Sequence, residues 1–196
     1  IIDYVLIVDT GSDDGTPEVV KNWLLENNFQ GQVVIEPWQN FAYNRSFALS
    51  KLKELEHIDY ALMIDADEVL VFEEGFDTIS FKENLWADIY DITTNMGGFI
   101  YVRPQITTNK KPMEYCGVVH EFLRMDTVSS TGKADGITNV PIQDSDRNRS
   151  GNKFLQDITL LEDAILKETD GSWLKSRYTF YLAQSYRDSG NKEKSL

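Results

Sequence analysis

Short apolar runs alternate with longer amphipathic stretches along the first half of the chain. Three such runs predict buried strands, over 4–8, 32–35 and 60–64. Between them, apolar residues recur at helical spacing. This predicts one helix with Thr16 as its N-cap and Pro17 in its first turn, and another helix over 41–55. Strands separated by helices of this length are typical of an α/β fold with a mostly parallel sheet flanked by helices.

The pattern changes near residue 88. Two strand-like segments, over 88–92 and 98–102, follow each other without a helix, so we expect antiparallel pairing at the edge of the sheet. The polar stretch 127–151 is rich in Ser, Gly, Asp and Asn, which predicts a loop. We therefore expect the sheet-forming domain to occupy residues 1–150.

The remaining residues, 151–196, predict a helical C-terminal segment. Apolar residues recur at helical spacing over 155–165, which indicates one helix. A second helix is expected over 172–188, because Ser189 and Gly190 provide a stop signal after it. Two helices after an α/β domain suggest a separate C-terminal unit.

The formal net charge of −13 over 196 residues narrows the classes of partner. Nucleic-acid binding and attachment to an anionic membrane both need a basic surface, so we expect neither. The apolar runs are too short for a membrane span. A small anionic ligand stays compatible with this charge if a divalent cation and a few basic side chains neutralise it.

The compartment is inferred from the start of the chain and from its cysteine content. The chain opens on Ile1, Ile2 and Asp3 without Met or a basic region, so no signal peptide is recognisable and a trimmed fragment is expected. A single cysteine, Cys116, cannot form an internal disulfide and suits a reducing compartment. We expect a cytoplasmic protein.

An acidic cluster follows the third predicted strand. Asp65 and Asp67 project to the same side of an extended segment, and two carboxylates at this spacing suit Mg²⁺ or Mn²⁺. Glu68 points the other way, and we expect it to hold the loop. The alternative is an ordinary acidic surface turn, but the position after a buried strand favours a metal site.

A second polar turn follows the first predicted strand. Asp9, Thr10, Gly11 and Ser12 supply a carboxylate, hydroxyls and a flexible backbone, and a carboxylate at this edge can accept hydrogen bonds from a base or a ribose. The turn is neither a Walker phosphate loop nor a dinucleotide fingerprint. The alternative is a turn that only leads into the following helix.

Two further pairs of residues are candidates for binding or catalysis. Asn44 and Arg45 lie in the first turn of the second helix, where an Arg and the helix dipole suit phosphate oxygens. His120 could be a third metal ligand, and Glu121 could be a general base for a sugar hydroxyl. The alternatives are an Arg that covers the core and a structural His-Glu pair.

Taken in order, four segments resemble the family 2 glycosyltransferases of GT-A fold. These segments are Ile7 to Thr16, Asn40 to Leu49, Ile64 to Glu68, and Val119 to Glu121. More narrowly, the chain is similar to bacterial-type members that carry tetratricopeptide repeats after the catalytic domain. Residues 177–190 look like the first helix of such a repeat, and 192–196 would open its second helix.

The resemblance implies a GT-A, Rossmann-like domain and inverting transfer of a sugar from a nucleoside diphosphate sugar, with a UDP-sugar favoured. The acceptor would be a hydroxyl of a glycan, lipid or protein. Asp9 to Ser12, Asn44 and Arg45 would bind the nucleotide sugar together with Asp65. The metal, Mn²⁺ or Mg²⁺, would be held by Asp65, Asp67 and His120, and Glu121 would be the base. The repeat-like end could also bind a protein partner.

The chain departs from the family in two places. Relatives usually begin with an earlier strand that carries nucleotide contacts, and this strand is expected to be missing. Many relatives have a histidine and glycines where residues 141–146 read Pro-Ile-Gln-Asp-Ser-Asp. Lys153, just beyond, could still face the diphosphate.

Other functions use similar residues. A sugar nucleotidyltransferase would need a basic, Gly-rich loop after the first strand, and residues 9–16 contain no Lys or Arg. An aspartyl phosphatase normally has a hydroxyl residue after its acidic pair, whereas Glu68 and Val69 follow here. The alternative from another class is a catalytically inactive scaffold that binds protein through its helical end.

Overall fold

The computed structural model describes residues 1–128, 130–142 and 151–195 as a mixed α/β protein. Within these residues five α-helices form: α1 (Thr16–Glu26), α2 (Phe41–Lys53), α3 (Thr78–Glu83), α4 (Lys153–Lys167) and α5 (Trp173–Asp188). A short 3₁₀ turn, Glu193–Ser195, follows them. The helices predicted at Thr16 and over 41–55, 155–165 and 172–188 are thereby confirmed with small differences at their ends, whereas α3 is not predicted by the sequence. Where 192–196 was expected to open a second repeat helix, the structure has the 3₁₀ turn, and Leu196 lies outside the described residues.

The same residues contain nine strands. They are β1 (Val5–Asp9), β2 (Gly31–Ile35), β3 (Tyr60–Leu62), β4 (Glu68–Phe72), β5 (Ile89–Met96), β6 (Phe99–Thr108), β7 (Glu114–Cys116), β8 (Phe122–Arg124) and β9 (Thr131–Pro141). β1 pairs with β2 in parallel, and β7 pairs with β8 antiparallel. The main sheet has the order β3-β6-β5-β9-β4.

The expectation of a mostly parallel sheet is wrong for this main sheet. Among its described strands, β5 and β9 run parallel, whereas the other three neighbouring pairs are antiparallel. One physical reason is the two-residue turn between β5 and β6, where Gly97 and Gly98 both adopt positive φ, at 61° and 95°. A tight turn of this kind returns the chain directly into an antiparallel hairpin, without a helical crossover.

The expectation of a loop over 127–151 is also wrong in its middle part. β9 lies inside the sheet, between β5 and β4, and its Ala134, Ile137 and Asn139 are almost fully buried. The polar composition of this stretch concealed the strand, because a partly polar strand can be buried when its backbone is paired on both sides. The antiparallel pairing expected for 88–102 is confirmed by β5 and β6. β5 lies inside the sheet between β6 and β9, whereas β3 pairs only with residues 106–108 of β6, so residues 99–104 pair with β5 alone among the described strands.

The turn before α1 differs from its prediction in one detail. Thr16 is the first helical residue, and the N-cap position belongs to Gly15, which adopts a left-handed backbone with φ 81°. The carboxylate of Asp14 accepts hydrogen bonds from the Thr16 backbone N–H, at 3.0 Å, and from its hydroxyl, at 2.6 Å. Asp14 therefore fixes the turn locally.

Three groups of buried apolar side chains hold these elements together. The largest fills the main sheet and contains Ala87, Tyr90, Ile92, Ile106, Ala134 and Ile137. A second group joins α2 to β3 and β8 through Leu49, Ala61 and Leu123. A third group contains Val119, Leu161, Ala164 and Tyr178, so the two C-terminal helices pack against the segment before β8. No helix within the described residues is long and apolar enough to cross a bilayer.

Candidate functional site

Arg45 connects two carboxylates that are far apart in the sequence. Its Nη2 donates to both oxygens of Asp65, at 2.6 and 2.8 Å, and its Nε lies 2.8 Å from Oε1 of Glu121. The side chains of Arg45 and Glu121 are 17% and 16% exposed, whereas Asp65 is 40% exposed. Three residues that the sequence suggested separately are thus brought together around one guanidinium, and we call them the charged cluster.

The small apolar core of α2, β3 and β8 explains why the charged cluster forms. Leu49 lies one helical turn after Arg45, so the two side chains share a face of α2. Ala61 lies in the strand that leads to Asp65, and Leu123 lies two residues after Glu121. Packing of these three apolar residues therefore fixes the backbones from which the three charged residues project.

The electrostatics of the charged cluster favour the ionised guanidinium. Burial alone would lower the pKa of Arg45, but the negative charges of Asp65 and Glu121 outweigh burial and raise it above its ordinary value. The Tyr115 ring lies 5.7 Å from the guanidinium carbon, and burial is the main reason that its pKa is raised to about 12. Tyr115 therefore stays neutral beside the cluster.

Tyr115 and Ser46 belong to this site and were missed in the sequence. The Ser46 hydroxyl accepts a hydrogen bond from the Tyr115 backbone N–H at 2.8 Å, which ties α2 to β7. The position of Ser46 directly after Arg45 was the available signal for that residue. Nothing local marks Tyr115, because its role depends on a partner 69 residues earlier in the chain.

Glu68 holds the backbone of the acidic segment, as expected. One of its oxygens accepts from the Asp65 backbone N–H at 3.0 Å, and the other pairs with Arg103 on β6. Its side chain is only 3% exposed. A buried carboxylate whose two oxygens both have partners holds the neighbouring backbone and side chain in place. This confirms the supporting role of Glu68.

Asp67 is partly buried, and its backbone carbonyl accepts from the Ile142 N–H at 2.7 Å, which holds the acidic segment next to the end of β9. In the described part of the chain, no three His, Cys, Asp or Glu side chains gather as a ready-made metal cluster. Asp65, Asp67 and His120 are thus not assembled as a three-residue ligand set there. Mg²⁺ needs only one or two protein carboxylates, with water and substrate phosphates completing its shell.

His120 has an unusual backbone and a stacked side chain. It adopts a left-handed conformation with φ 51°, which is uncommon for a residue other than glycine. Its ring stacks on Tyr181 of α5, with 4.1 Å between ring centroids and 20° between planes. Its carbonyl accepts a hydrogen bond from Arg177 at 2.7 Å. The turn that carries Glu121 is therefore held by α5.

The Asp9 side chain makes its hydrogen bonds within its own turn. The Asp9 carboxylate accepts from the backbone N–H groups of Gly11 and Ser12, both at 3.0 Å. Burial raises the pKa of this carboxyl, but hydrogen bonds from the Ser12 hydroxyl and from both N–H groups outweigh burial, so the pKa is lowered overall. Thr10, Gly11 and Ser12 are exposed. The turn thus presents its backbone and hydroxyls at the surface.

The chain between β2 and α2 links the Asp9 turn to the helix that carries Arg45. The carbonyls of Asp9 and Thr10 accept from the backbone N–H groups of Glu36 and Trp38, at 2.9 and 3.2 Å. Buried Asn44 accepts from the Gln39 N–H at 3.0 Å and donates to the Pro37 carbonyl at 3.2 Å. Asn44 therefore holds this connection, and the nucleotide contact assigned to it stays a prediction.

The remaining predicted residue, Lys153, begins α4 and is partly buried. Of the segment 141–146, only Pro141 and Ile142 are described, and residues 143–146 lie outside the described part. Pro141 pairs with Glu68 at the end of β9. The diphosphate contact assigned to Lys153 stays a prediction.

Neither a protein-family model nor a curated protein matches this chain.

Proposed function

We propose that the chain is a metal-dependent, inverting glycosyltransferase of GT-A type that uses a nucleoside diphosphate sugar, with a UDP-sugar favoured. The observation that carries the proposal is the charged cluster: Arg45 binds Asp65 and Glu121 at the same time. These residues come from three of the four family-like segments. Asp65 would supply a carboxylate for a metal, Glu121 would supply a carboxylate for proton transfer, and Arg45, which binds both, would supply a cation for a phosphate.

The Asp9 turn would bind the nucleoside. Asp9 would accept hydrogen bonds from the ribose or the base, and its carboxylate also keeps the turn in shape through its bonds to Gly11 and Ser12. The hydrogen-bonded connection over 36–44 joins this turn to the start of α2. A donor could therefore extend from the Asp9 turn toward Arg45, with Lys153 as a further candidate for the diphosphate.

The acidic residues fit Mn²⁺ or Mg²⁺ in their chemistry. Asp65 and Asp67 offer hard oxygen donors, and each oxygen of Asp65 keeps a second lone pair after it accepts from Arg45. Glu68 accepts a hydrogen bond from the Asp65 backbone N–H and so fixes the segment from which both side chains project. A bound divalent cation would neutralise charge on the departing diphosphate. His120 would contribute as an additional ligand or phosphate contact.

Glu121 would be the base of a single displacement. The acceptor hydroxyl oxygen forms a bond to the anomeric carbon, the bond from that carbon to the diphosphate oxygen breaks, and the hydroxyl proton moves to the Glu121 carboxylate. Arg45 orients this carboxylate through its Nε contact of 2.8 Å. Positioning of this kind supplies a large part of the rate enhancement in displacement reactions. The acceptor would be a hydroxyl of a glycan, lipid or protein.

The C-terminal helices and the compartment complete the proposal. α4 and α5 would be the start of a tetratricopeptide-like unit. A protein partner could bind the surface of these helices that does not pack against the turn carrying Glu121. A cytoplasmic location would suit a chain whose single cysteine, Cys116, is a free thiol.

The test is hydrolysis of nucleotide sugars without an acceptor, in the presence and absence of Mn²⁺. A thermal-shift panel of nucleotide sugars identifies the donor first, since a ligand that binds only the folded state raises its stability. We expect metal-dependent hydrolysis that Asp67→Asn lowers by about 100-fold, because the substitution removes a charged metal ligand. The matched control is Asp163→Asn, at an exposed aspartate of α4 that pairs with Lys167.

Three results would contradict the proposal in different ways. Full activity of Asp67→Asn would remove the metal assignment. Release of pyrophosphate from a nucleoside triphosphate and a sugar phosphate would favour the nucleotidyltransferase alternative. Failure to bind any nucleotide sugar with or without Mn²⁺, together with capture of a protein by the helical end, would favour the scaffold.

A further inference from the structure

We infer that Arg177 on α5 is a positioning residue for Glu121, so that the C-terminal helices form part of the active site. The inference rests on the proposed function, because Glu121 matters for catalysis only if the chain is a transferase. Arg177 reaches the turn around Glu121 from a position 57 residues further along the sequence. It contacts the residues on both sides of Glu121.

Three contacts of one guanidinium define this arrangement, which we call the Arg177 clamp. Its Nη2 donates to the His120 carbonyl at 2.7 Å. Its central carbon lies 5.0 Å from the centroid of the Phe122 ring and 4.9 Å from that of Tyr181. Distances of this size are typical of cation–π contacts, which a planar guanidinium can make on both faces. Arg177 therefore fixes the residue before Glu121 and the residue after it.

The backbone of His120 explains why the turn needs such support. A left-handed φ of 51° places a non-glycine residue in a conformation that surrounding contacts must stabilise. The clamp holds the His120 carbonyl, and stacking on Tyr181 holds its ring. Gly117, with φ 101°, lies beneath the turn, where an added Cβ would come within 3.4 Å of the Glu121 Cα. The turn is consequently compact and depends on α5.

Buried apolar packing anchors the clamp to the body of the helices. Val119 is 3% exposed and packs with Leu161, Ala164 and Tyr178. Tyr178 and Val119 are the direct neighbours of Arg177 and His120 in the sequence. The apolar contacts therefore align α5 with the turn, and the clamp sets the final direction of the turn.

The direction of Glu121 follows from these constraints. With His120 and Phe122 both held by α5, the Glu121 side chain points to Arg45, whose Nε lies 2.8 Å away. A displacement of about 1 Å in a reacting group can cost about 100-fold in rate. Loss of the clamp should therefore lower turnover without direct contact between Arg177 and the substrate.

The first experiment uses Arg177→Gln in the whole chain and measures both catalysis and local opening. In donor hydrolysis with Mn²⁺, we expect kcat to fall by about 10- to 100-fold while the KM for the donor changes by less than about 3-fold. Hydrogen exchange should accelerate by at least about 10-fold at the backbone amides of 118–122, and much less in α4. Arg177→Lys should restore part of the turnover, because it keeps the charge and one donor but not the planar fork.

The second experiment separates positioning from general damage to the fold. If Arg177 acts through Glu121, then Arg177→Gln should lower kcat by less than about 3-fold when Glu121 is already replaced by Gln. The matched control is Arg187→Gln on the same helix. Arg187 is 61% exposed and pairs only with its neighbour Asp188 among the described residues, so its removal should leave kcat and exchange of the turn unchanged.

The outcomes distinguish the inference from the proposed function. A wild-type chain without metal-dependent hydrolysis would refute the proposed function, and hydrogen exchange would still test the clamp. An active wild-type chain in which the effects of Arg177→Gln and Glu121→Gln multiply would overturn the inference. Unchanged exchange at 118–122 in Arg177→Gln would overturn it as well, and should that variant fail to fold, Arg177→Lys provides the same comparison.

Discussion

The Asp9 turn and the charged cluster are both polar sites at strand ends, but they are built in opposite ways. Asp9 receives its hydrogen bonds from residues two and three positions later, whereas Arg45 reaches Asp65 across 20 positions and Glu121 across a much longer segment. Asp9 is itself buried, at 6% exposure, but its two N–H donors lie on exposed residues, whereas Arg45 and Glu121 are both largely buried. One site thus depends on nearby donors at the surface, and the other depends on a long-range ion pair between two largely buried groups.

This difference decides how strongly each site depends on its partners. Water can replace a lost acceptor at an exposed turn, so the cost of the loss is small. A largely buried charge whose partner is removed keeps the cost of desolvation without compensation. The charged cluster should therefore respond much more strongly to a single substitution than the Asp9 turn.

The largest effect is expected for Arg45→Gln. The change leaves Asp65 and Glu121 facing each other without a cation. We expect the free energy of unfolding to fall by about 3 kcal/mol, at the lower end of the range for buried pairs because Asp65 is 40% exposed. Urea unfolding measures the change. A loss as small as that at the Asp9 turn would mean that burial does not separate the two sites.

Glu68→Gln should have an intermediate effect, because Glu68 combines both kinds of contact. It accepts locally from the Asp65 N–H and pairs across the sheet with Arg103. An amide supplies one acceptor where the carboxylate supplied two, so we expect a loss of about 2 kcal/mol in the free energy of unfolding. The same urea experiment tests this value, with Glu73→Gln as the control at an exposed position. Equal losses in the two variants would contradict a specific role for Glu68.

The smallest effect is expected for Asp9→Ala, at about 1 kcal/mol, similar to the loss of a helix cap. Because the pKa of Asp9 is lowered in the folded state, its ionised form stabilises the fold. This contribution is complete above the ordinary value of 3.8 and is lost as the pH falls below it through the lowered pKa. Unfolding measured from neutral pH into this acid range should show a smaller pH dependence in Asp9→Ala than in the wild type. An identical pH dependence in the two proteins would show that the ionised Asp9 carboxylate does not stabilise the fold.

Four of the five described helices could be predicted from the sequence with small errors at their ends, whereas α3 was not predicted. α2 begins at Phe41 as expected, because Asn40 accepts from the Tyr43 N–H and caps the helix locally. α5 ends at Asp188, as the following Ser189 and Gly190 indicated. Caps and stop signals act over one turn of helix, so the sequence contains the complete information for them.

The sheet could not be predicted in the same way. The polar residues of β9 predict a loop, yet Asn139 in this strand is fully buried between β5 and β4. Paired strands can lie tens of residues apart in the sequence. The residue pattern of a polar strand does not indicate which strands it pairs with. The antiparallel pairing of β5 with β6 is as expected, but the antiparallel pairs of β3 with β6 and of β4 with β9 were not predicted, for the same reason.

The sequence by itself determined four of the five described helices, the Asp9 turn, the supporting role of Glu68 and most of the candidate residues, but not α3, Ser46 or Tyr115. Only the tertiary structure decided that Arg45 binds Asp65 and Glu121 together, and that Arg177 and Tyr181 hold the turn of His120. The physical reason is the range of the contacts. Capping and turns involve neighbours along the chain, whereas the charged cluster exists because Leu49, Ala61 and Leu123 pack in one small core and bring three distant backbones together.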